Sequence, residues 1–132
     1  MPTKATQKTT LCFVIKDEKI LLLERQNTWY ENKKYLPPGG NVDSDETPKQ
    51  AAIRELFEET GLTVDENQLE LIWNYQNNLR NKEWDNYYFL ARECTGELKN
   101  VEPHRHSNVG WFSLDNLPKN TSQIVYDTLK NI

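Results

Sequence analysis

One segment of this chain reads as a helix with both of its ends written into the residues, and the rest must fold to suit it. Thr47 suits the N-cap, Pro48 the first helical position, and Gln50 completes a Thr-x-x-Gln capping box. Gly61 supplies the stop, because glycine tolerates the left-handed conformation just past a helix end. The helix is therefore expected from about Pro48 to Thr60. Ala52, Ile53, Leu56 and Phe57 are offered to the core, so the remaining residues have to build an apolar surface for it.

The opposite side carries Arg54, Glu55, Glu58 and Glu59. At about 100° per residue the three glutamates share an arc of roughly 100°, with axial separations of about 4 to 6 Å. Glu55 and Glu59 form an i, i+4 like-charge pair, an arrangement that destabilises a bare helix by a few tenths of a kcal/mol. A solvated acidic face is one reading. The other is a bound hard cation: magnesium takes oxygen ligands, keeps several waters and shares its shell with phosphate oxygens. Just upstream, Pro37, Pro38, Gly39 and Gly40 break regular structure. Gly39 and Gly40 let the backbone approach a ligand closely, and Gly40 can offer a carbonyl or amide where a side chain would intrude. Either glycine alone is a tight turn; loop, capped helix and three carboxylates together favour the cation.

Around the helix the pattern is mostly strands. Thr9–Ile15 and Ile20–Glu24 read as a hairpin through Lys16, Asp17, Glu18 and Lys19. Leu69–Tyr75 and Asn86–Arg92 read as two more strands, joined by a polar stretch at 76–85, and Val109–Ser113 as a short one. Ile124, Val125 and Leu129 mark one face of a final helix after Asn120. The two helices are too far apart in sequence for a simple βαβ series, so we expect an α/β fold: a mixed sheet with one helix on each face. With 132 residues there is room for one domain, taken as 1–132.

Composition narrows the partners. Four Trp, six Tyr and four Phe are too many for a disordered chain, although 27% of residues are charged. A formal charge of −4 without a Lys/Arg run argues against binding a nucleic-acid backbone. A small phosphorylated ligand is still allowed, because a bound metal can reverse the local sign. Cys12 and Cys94 form no CxxC pair, and Cys12 lies in an apolar run, as a buried thiol would. Met1, Pro2, Thr3 and Lys4 lead into polar residues, so neither a signal peptide nor a membrane span is expected, and the cytoplasm is the expected setting.

The segment Gly40 to Leu62, GNVDSDETPKQAAIRELFEETGL, resembles the signature of the Nudix hydrolase superfamily, G-x5-E-x7-R-E-U-x-E-E-x-G-U with U aliphatic. Gly40, Glu46, Arg54, Glu55, Glu58, Glu59 and Gly61 fill its fixed positions, and Leu56 and Leu62 its aliphatic ones. At background frequencies, seven such matches arise by chance on the order of once in 10⁸ windows. The resemblance implies the Nudix fold, an α/β/α sandwich with a central mixed β-sheet. It also implies Mg²⁺-dependent hydrolysis, with Mn²⁺ as a possible substitute, of a nucleoside diphosphate linked to another moiety. By motif position, Glu55, Glu58 and Glu59 would bind the metal with the Gly40 carbonyl, Arg54 would orient the glutamates, and Glu46 would support the loop. Glu102 and Pro103, followed by Trp111 and Phe112, resemble the region where MutT-like members bring a further glutamate to the metal. Glu102 is thus a candidate metal ligand or general base, with a plain surface carboxylate as the competing reading. His104 and Arg105 depart from the acidic-then-basic pair common there, so this match is partial.

For substrate, the candidates are Arg25 for phosphate oxygens, Trp29 and Tyr35 for stacking on a base, Gly39 for close backbone approach, and Tyr75 on a strand. Tyr87 and Phe89 are possible platforms too, although alternating strand aromatics are more often core. The proline of ADP-ribose hydrolases and the tyrosine of dinucleoside polyphosphate hydrolases are absent at the corresponding places, near Asn78 and Arg80. The small size and the Glu102 region look MutT-like and favour a nucleoside triphosphate, an 8-oxo-purine nucleotide among the candidates. ADP-ribose or a nucleoside diphosphate sugar is the alternative within enzymology, and a catalytically silent nucleotide-binding module the alternative outside it. Monomer and homodimer are both compatible with the sequence.

Overall fold

A computed structural model describes residues 6–132; the reading of Met1 to Lys4 lies outside the described residues. The strands are β1 (Thr6–Lys16), β2 (Lys19–Arg25), β3 (Tyr35–Leu36), β4 (Gly39–Asn41), β5 (Glu70–Leu79), β6 (Lys82–Ala91) and β7 (His106–Ser113). The helices are α1 (Pro48–Thr60) and α2 (Gln123–Leu129). β1 pairs parallel with β6, and the other pairings are antiparallel, giving the mixed sheet expected.

Helix α1 has the ends its residues predict. The Thr47 side chain accepts from the Gln50 amide, the Gln50 side chain accepts from the Thr47 amide, and Gly61 closes the helix at φ 79°. Ala52 and Leu56 pack on Cys12, Val14, Leu21, Phe89 and Ala91 on one side of the sheet. On the other side Val125, with Ile124 and Leu129, covers Phe13, Ile20, Leu22, Leu36 and Leu90. One helix per face is therefore what the chain forms. Phe57 departs from expectation: it is exposed rather than in the core, because the buried side of α1 turns through Ala51, Ala52, Leu56 and Thr60 and leaves it outside.

The strands are longer than the residues suggested. The stretch 76–85 is no polar connector, since β5 runs on to Leu79 and β6 begins at Lys82. Arg80 and Asn81, both at positive φ, make the two-residue turn between them. Polarity misled here because this ribbon extends past the apolar core, where strand residues gain nothing by being hydrophobic. Asp17 and Glu18, also at positive φ, make the matching turn between β1 and β2.

One topological detail opens the site. β1 and β2 pair only beside their turn, at Ile15 with Ile20 and Lys16 with Lys19. Beyond that they part: β4 takes the free edge of β1 and β3 that of β2. The segment carrying Pro37 and Pro38 crosses between the two, anchored by the Cys12 amide donating to the Pro38 carbonyl. The divergence leaves a cleft lined by β1, β4, β6 and α1.

Candidate active site

The cleft encloses a cavity of about 510 Å³, within the range for small-molecule sites. Its lining includes Arg25, Trp29, Gly39, Gly40, Glu55 and Glu59, all singled out from sequence. Strand register gives the cavity a direction. Along β1, Thr10 lies beside Gly40, Thr9 beside Asn86, and Gln7 beside Trp84. It therefore runs from the carboxylates of α1 to an end carrying Trp84, Leu79 and Trp29.

Helix α1 delivers its carboxylates unequally. Glu59 is buried; its Oε2 accepts from the Gly39 amide at 3.0 Å, and its Oε1 lies 3.2 Å from His106 Nε2. Burial pushes the Glu59 pKa up to about 8, with the Gly39 hydrogen bond pulling the other way. Burial, then the charge of Glu59, likewise raises Glu55 to about 8, against the pull of Arg54. Glu58 is 46% exposed and turned toward Arg54, outside the cavity lining.

Arg54 organises this face as a hub. Its Nη2 reaches Glu46 Oε1 at 2.6 Å and the Asn41 carbonyl at 3.0 Å, and its Nε reaches Glu46 Oε2 at 3.1 Å. Its Nη1 donates to Glu55 Oε1 at 2.9 Å and to Glu58 at 3.2 Å. Glu46, held below the ordinary carboxylate range by Arg54, ties the loop before the helix by accepting from the Asp43 amide.

The two glycines do different work. A Cβ on Gly40 would come within 2.8 Å of Glu55 Oε1, whereas one on Gly39 would strike the Thr10 carbonyl and come 2.9 Å from Leu11 Cα. Gly40→Ala should therefore displace a flexible carboxylate, lowering turnover with the melting temperature nearly unchanged. Gly39→Ala collides with backbone, and overpacking of that kind destabilises by about 1–3 kcal/mol. Calorimetry and turnover on both variants check this; equal loss of stability in the two would contradict it.

Beyond the helix, the amides of Arg105 and His106 both donate to the Glu102 carbonyl, so this segment coils through one tight turn. The turn brings Glu102 and His106 to Glu59: one ligand atom from each of the three lies within 4.8 Å of the others. Burial drives the His106 pKa down to about 4, so the ring is neutral, and its Nδ1 has no hydrogen-bond partner. His106 was missed from sequence; its place four residues after Glu102 was the available signal. Asn77 and Trp84, which also line the cavity, were missed because the stretch 76–85 read as a connector; Tyr30 and Arg105 line it as well.

Two expected substrate contacts lie elsewhere. Tyr35 is buried, its ring edge-on to Phe112 and its hydroxyl accepting from Asn108 Nδ2, so it serves the core. Tyr75 stands behind the cavity, its hydroxyl 2.8 Å from that of Tyr88, which does line it. Tyr87 is bound to Asp85 and Phe89 is core. Trp29 is 52% exposed, and Arg80 from the β5–β6 turn stacks on its ring at 3.8 Å.

The residues fit a divalent cation. A buried and a half-buried carboxylate, Glu59 and Glu55, resist ionisation beside each other, a condition that a cation reverses. The Gly40 cradle leaves room beside the Glu55 carboxylate, and the buried His106 ring brings its Nε2 to Glu59.

Fold and site together define a class: an α/β/α sandwich with an acidic, cation-ready cleft of nucleotide size. A family model of the NUDIX domain matches residues 5–131. The crystal structure of a MutT NUDIX hydrolase from Burkholderia pseudomallei superposes with a TM-score of 0.87 and 28% identity, covering 98% of this chain and 99% of that one. An ADP-ribose pyrophosphatase of Methanocaldococcus jannaschii is 34% identical over 79% of this chain and 60% of its own length. An oxidized purine nucleoside triphosphate hydrolase of Danio rerio is 33% identical over 83% of this chain and 67% of its own length. The chain belongs to the Nudix family. Its enzyme class is that of the Nudix hydrolases, which act on nucleotide-linked anhydrides and use divalent metals. No helix among the described residues is long and apolar enough to cross a membrane.

Proposed function

We propose that this chain is a Mg²⁺-dependent nucleoside triphosphate pyrophosphohydrolase of MutT type, with Mn²⁺ able to replace Mg²⁺. One observation carries the reading: a single cavity has carboxylates, Arg25 and the Gly39–Gly40 backbone toward one end, and Trp29 and Trp84 toward the other. A polyphosphate chain suits the first and a flat base the second.

Glu55, Glu58, Glu59 and Glu102 with the Gly40 carbonyl would hold the metal. A divalent ion, when bound, screens the phosphate oxygens and makes water a better nucleophile at neutral pH. The chain's own residues do the rest. The Arg25 guanidinium meets phosphate oxygens, the glycines let the phosphate chain lie against the backbone, and Arg54 fixes the Glu55 and Glu58 carboxylates. Glu55, which lines the cavity and is oriented by Arg54, is the proton acceptor. A covalent intermediate is not required.

The second reading, hydrolysis of ADP-ribose or a nucleoside diphosphate sugar, is favoured by the archaeal relative of that activity. A panel of nucleoside triphosphates, oxidised purine nucleotides, ADP-ribose and nucleoside diphosphate sugars, assayed for pyrophosphate against phosphate or monophosphate release, separates the two. We expect pyrophosphate from triphosphates, activity rising toward alkaline pH, and complete loss with chelator. Nucleotide affinity without turnover, in Mg²⁺ and in Mn²⁺, would overturn the assignment in favour of a binding module.

A further inference from the structure

We infer that Asn77 selects the base: held with its N–H groups toward the cleft, it favours nucleotides whose base presents a carbonyl over those, such as adenine nucleotides, that present an amino group. The inference deepens the proposed hydrolysis. It rests on that reading for the placing of the base beside Trp29 and Trp84, but not for turnover.

Strand register supplies the first argument. Asn86 stands beside Tyr75 on β5 and beside Thr9 on β1, and Asn77 stands beside Trp84. Strand side chains two apart share a face, as do paired neighbours. Thr9, Asn77, Trp84 and Asn86 therefore project from one side of the sheet, and all four line the cavity. Within this group Asn86 is the buried member, at 7% exposure.

The second argument is which way the amides point. The Tyr75 backbone carbonyl can only accept, so the Asn86 side chain must turn its Nδ2 to it, at 3.1 Å. The same Nδ2 donates to Asn77 Oδ1 at 3.0 Å, and Asn86 Oδ1 accepts from the Thr9 hydroxyl at 2.7 Å. One fixed carbonyl thus orients the whole row. Asn77 keeps its acceptor on Asn86, and its Nδ2 meets no protein group among the described residues. Reversing the Asn77 amide would set donor against donor beside a buried side chain, which is unfavourable. Its neighbours on this wall are already committed: Trp84 Nε1 donates to the Leu79 carbonyl, and the Tyr88 hydroxyl pairs with that of Tyr75.

Base chemistry then sets the preference. An asparagine with both ends free donates and accepts at once and so meets N6 and N7 of adenine, whereas donor-only groups meet O6 and N7 of guanine. With its oxygen spent on Asn86, Asn77 joins the donor-only groups. A carbonyl satisfies its N–H; an amino group in the same place sets hydrogen against hydrogen. Thr9 does not blur this choice. It stands two strands from Asn77, about 10 Å across the sheet, too far to serve the same edge of a base.

Inosine and adenosine nucleotides are the discriminating pair, because the same ring position carries oxygen in one and an amino group in the other. Calorimetry measures binding of their α,β-methylene triphosphates, which resist cleavage between those phosphates, to the full chain in Mg²⁺. We expect the inosine analogue to bind about tenfold more tightly, the effect of one neutral hydrogen bond made against one frustrated. Asn77→Leu removes the amide and should bring the two affinities within about twofold of each other. Asn77→Asp keeps one oxygen for Asn86 and turns the other to the base, so the adenosine analogue should become the tighter ligand. Its added charge weakens both analogues alike and cancels in the ratio. Equal affinities in the wild type, or an inosine preference that survives in Asn77→Leu, would overturn the assignment. If one variant fails to fold, the other decides. Turnover of the ordinary triphosphates is scored separately: an inosine preference without turnover of any nucleotide sinks the proposed function and leaves the base selection standing, and turnover with equal affinities sinks the selection alone.

Discussion

Glu59→Gln should lower turnover by roughly 10³-fold, the factor expected when about 4 kcal/mol of transition-state charge stabilisation is lost. Glutamine is close to the same shape. Its carbonyl oxygen can still accept from the Gly39 amide, so β4 stays docked on α1. What disappears is the negative charge of a buried residue in the cavity lining, next to Glu102 and His106. Glu58→Gln, on the outer side of the cluster, should also lower turnover, because its carboxylate shares Arg54 Nη1 with Glu55. The metal-free stability of Glu59→Gln should hold or rise, since a buried carboxylate that resists ionisation has been replaced by a neutral amide. Steady-state kinetics and a melting curve measure both halves. Turnover within tenfold of wild type would show that Glu59 does not serve the chemistry.

The metal-free protein should lose stability as the solution becomes more alkaline, and added Mg²⁺ should abolish that loss. Glu55 and Glu59 have folded-state pKa values near 8, against an ordinary value of 4.5. Between those limits the folded chain holds protons that the unfolded chain has released, so stability falls with rising pH. His106 acts in the opposite sense. Its folded value near 4 against an ordinary 6.5 makes the unfolded chain the better proton binder over that interval. It therefore offsets part of the loss up to pH 6.5 and nothing above. The steepest decline lies between pH 6.5 and about 8. One group changing over that interval is worth about 2 kcal/mol, and we expect about that for the pair, because Glu55 hydrogen-bonds Glu59 while the charge of Glu59 raises Glu55, so the two do not titrate independently. A fall of roughly 5–10 °C in melting temperature corresponds. Melting in chelator at pH 6.5 and at about 8.5, then with saturating Mg²⁺, makes the test; a chelated protein that grows more stable across the window would contradict it.

Helix α1 shows how far local chemistry reaches. Thr47, Pro48, Gln50 and Gly61 act on their immediate neighbours, so the ends of the helix were readable and the structure has them there. The three glutamates shared a face for the same reason. Their inequality was not readable: Glu59 is buried, Glu58 faces Arg54 in solvent, and Glu55 lies between. That difference depends on which strand edge the helix covers, a contact between residues far apart in the chain. Tyr35 and Trp29 repeat the lesson. Both are aromatics of the short segment that follows β2, and only packing against Phe112 sends the first into the core while Arg80 meets the second over the cleft.

By itself, then, the sequence determined what short-range forces decide: the capped helix, its carboxylate stripe, the glycine pair before it, the alternation of strands, and with them the family. Tertiary structure alone decided the parting of β1 from β2 that opens the cleft, and the meeting of Glu59 with Glu102 and His106 across more than forty residues. The physical reason is that burial and charge interaction are set by distance in space. Neither has a value until the sheet has closed and the turn after Glu102 has folded against α1.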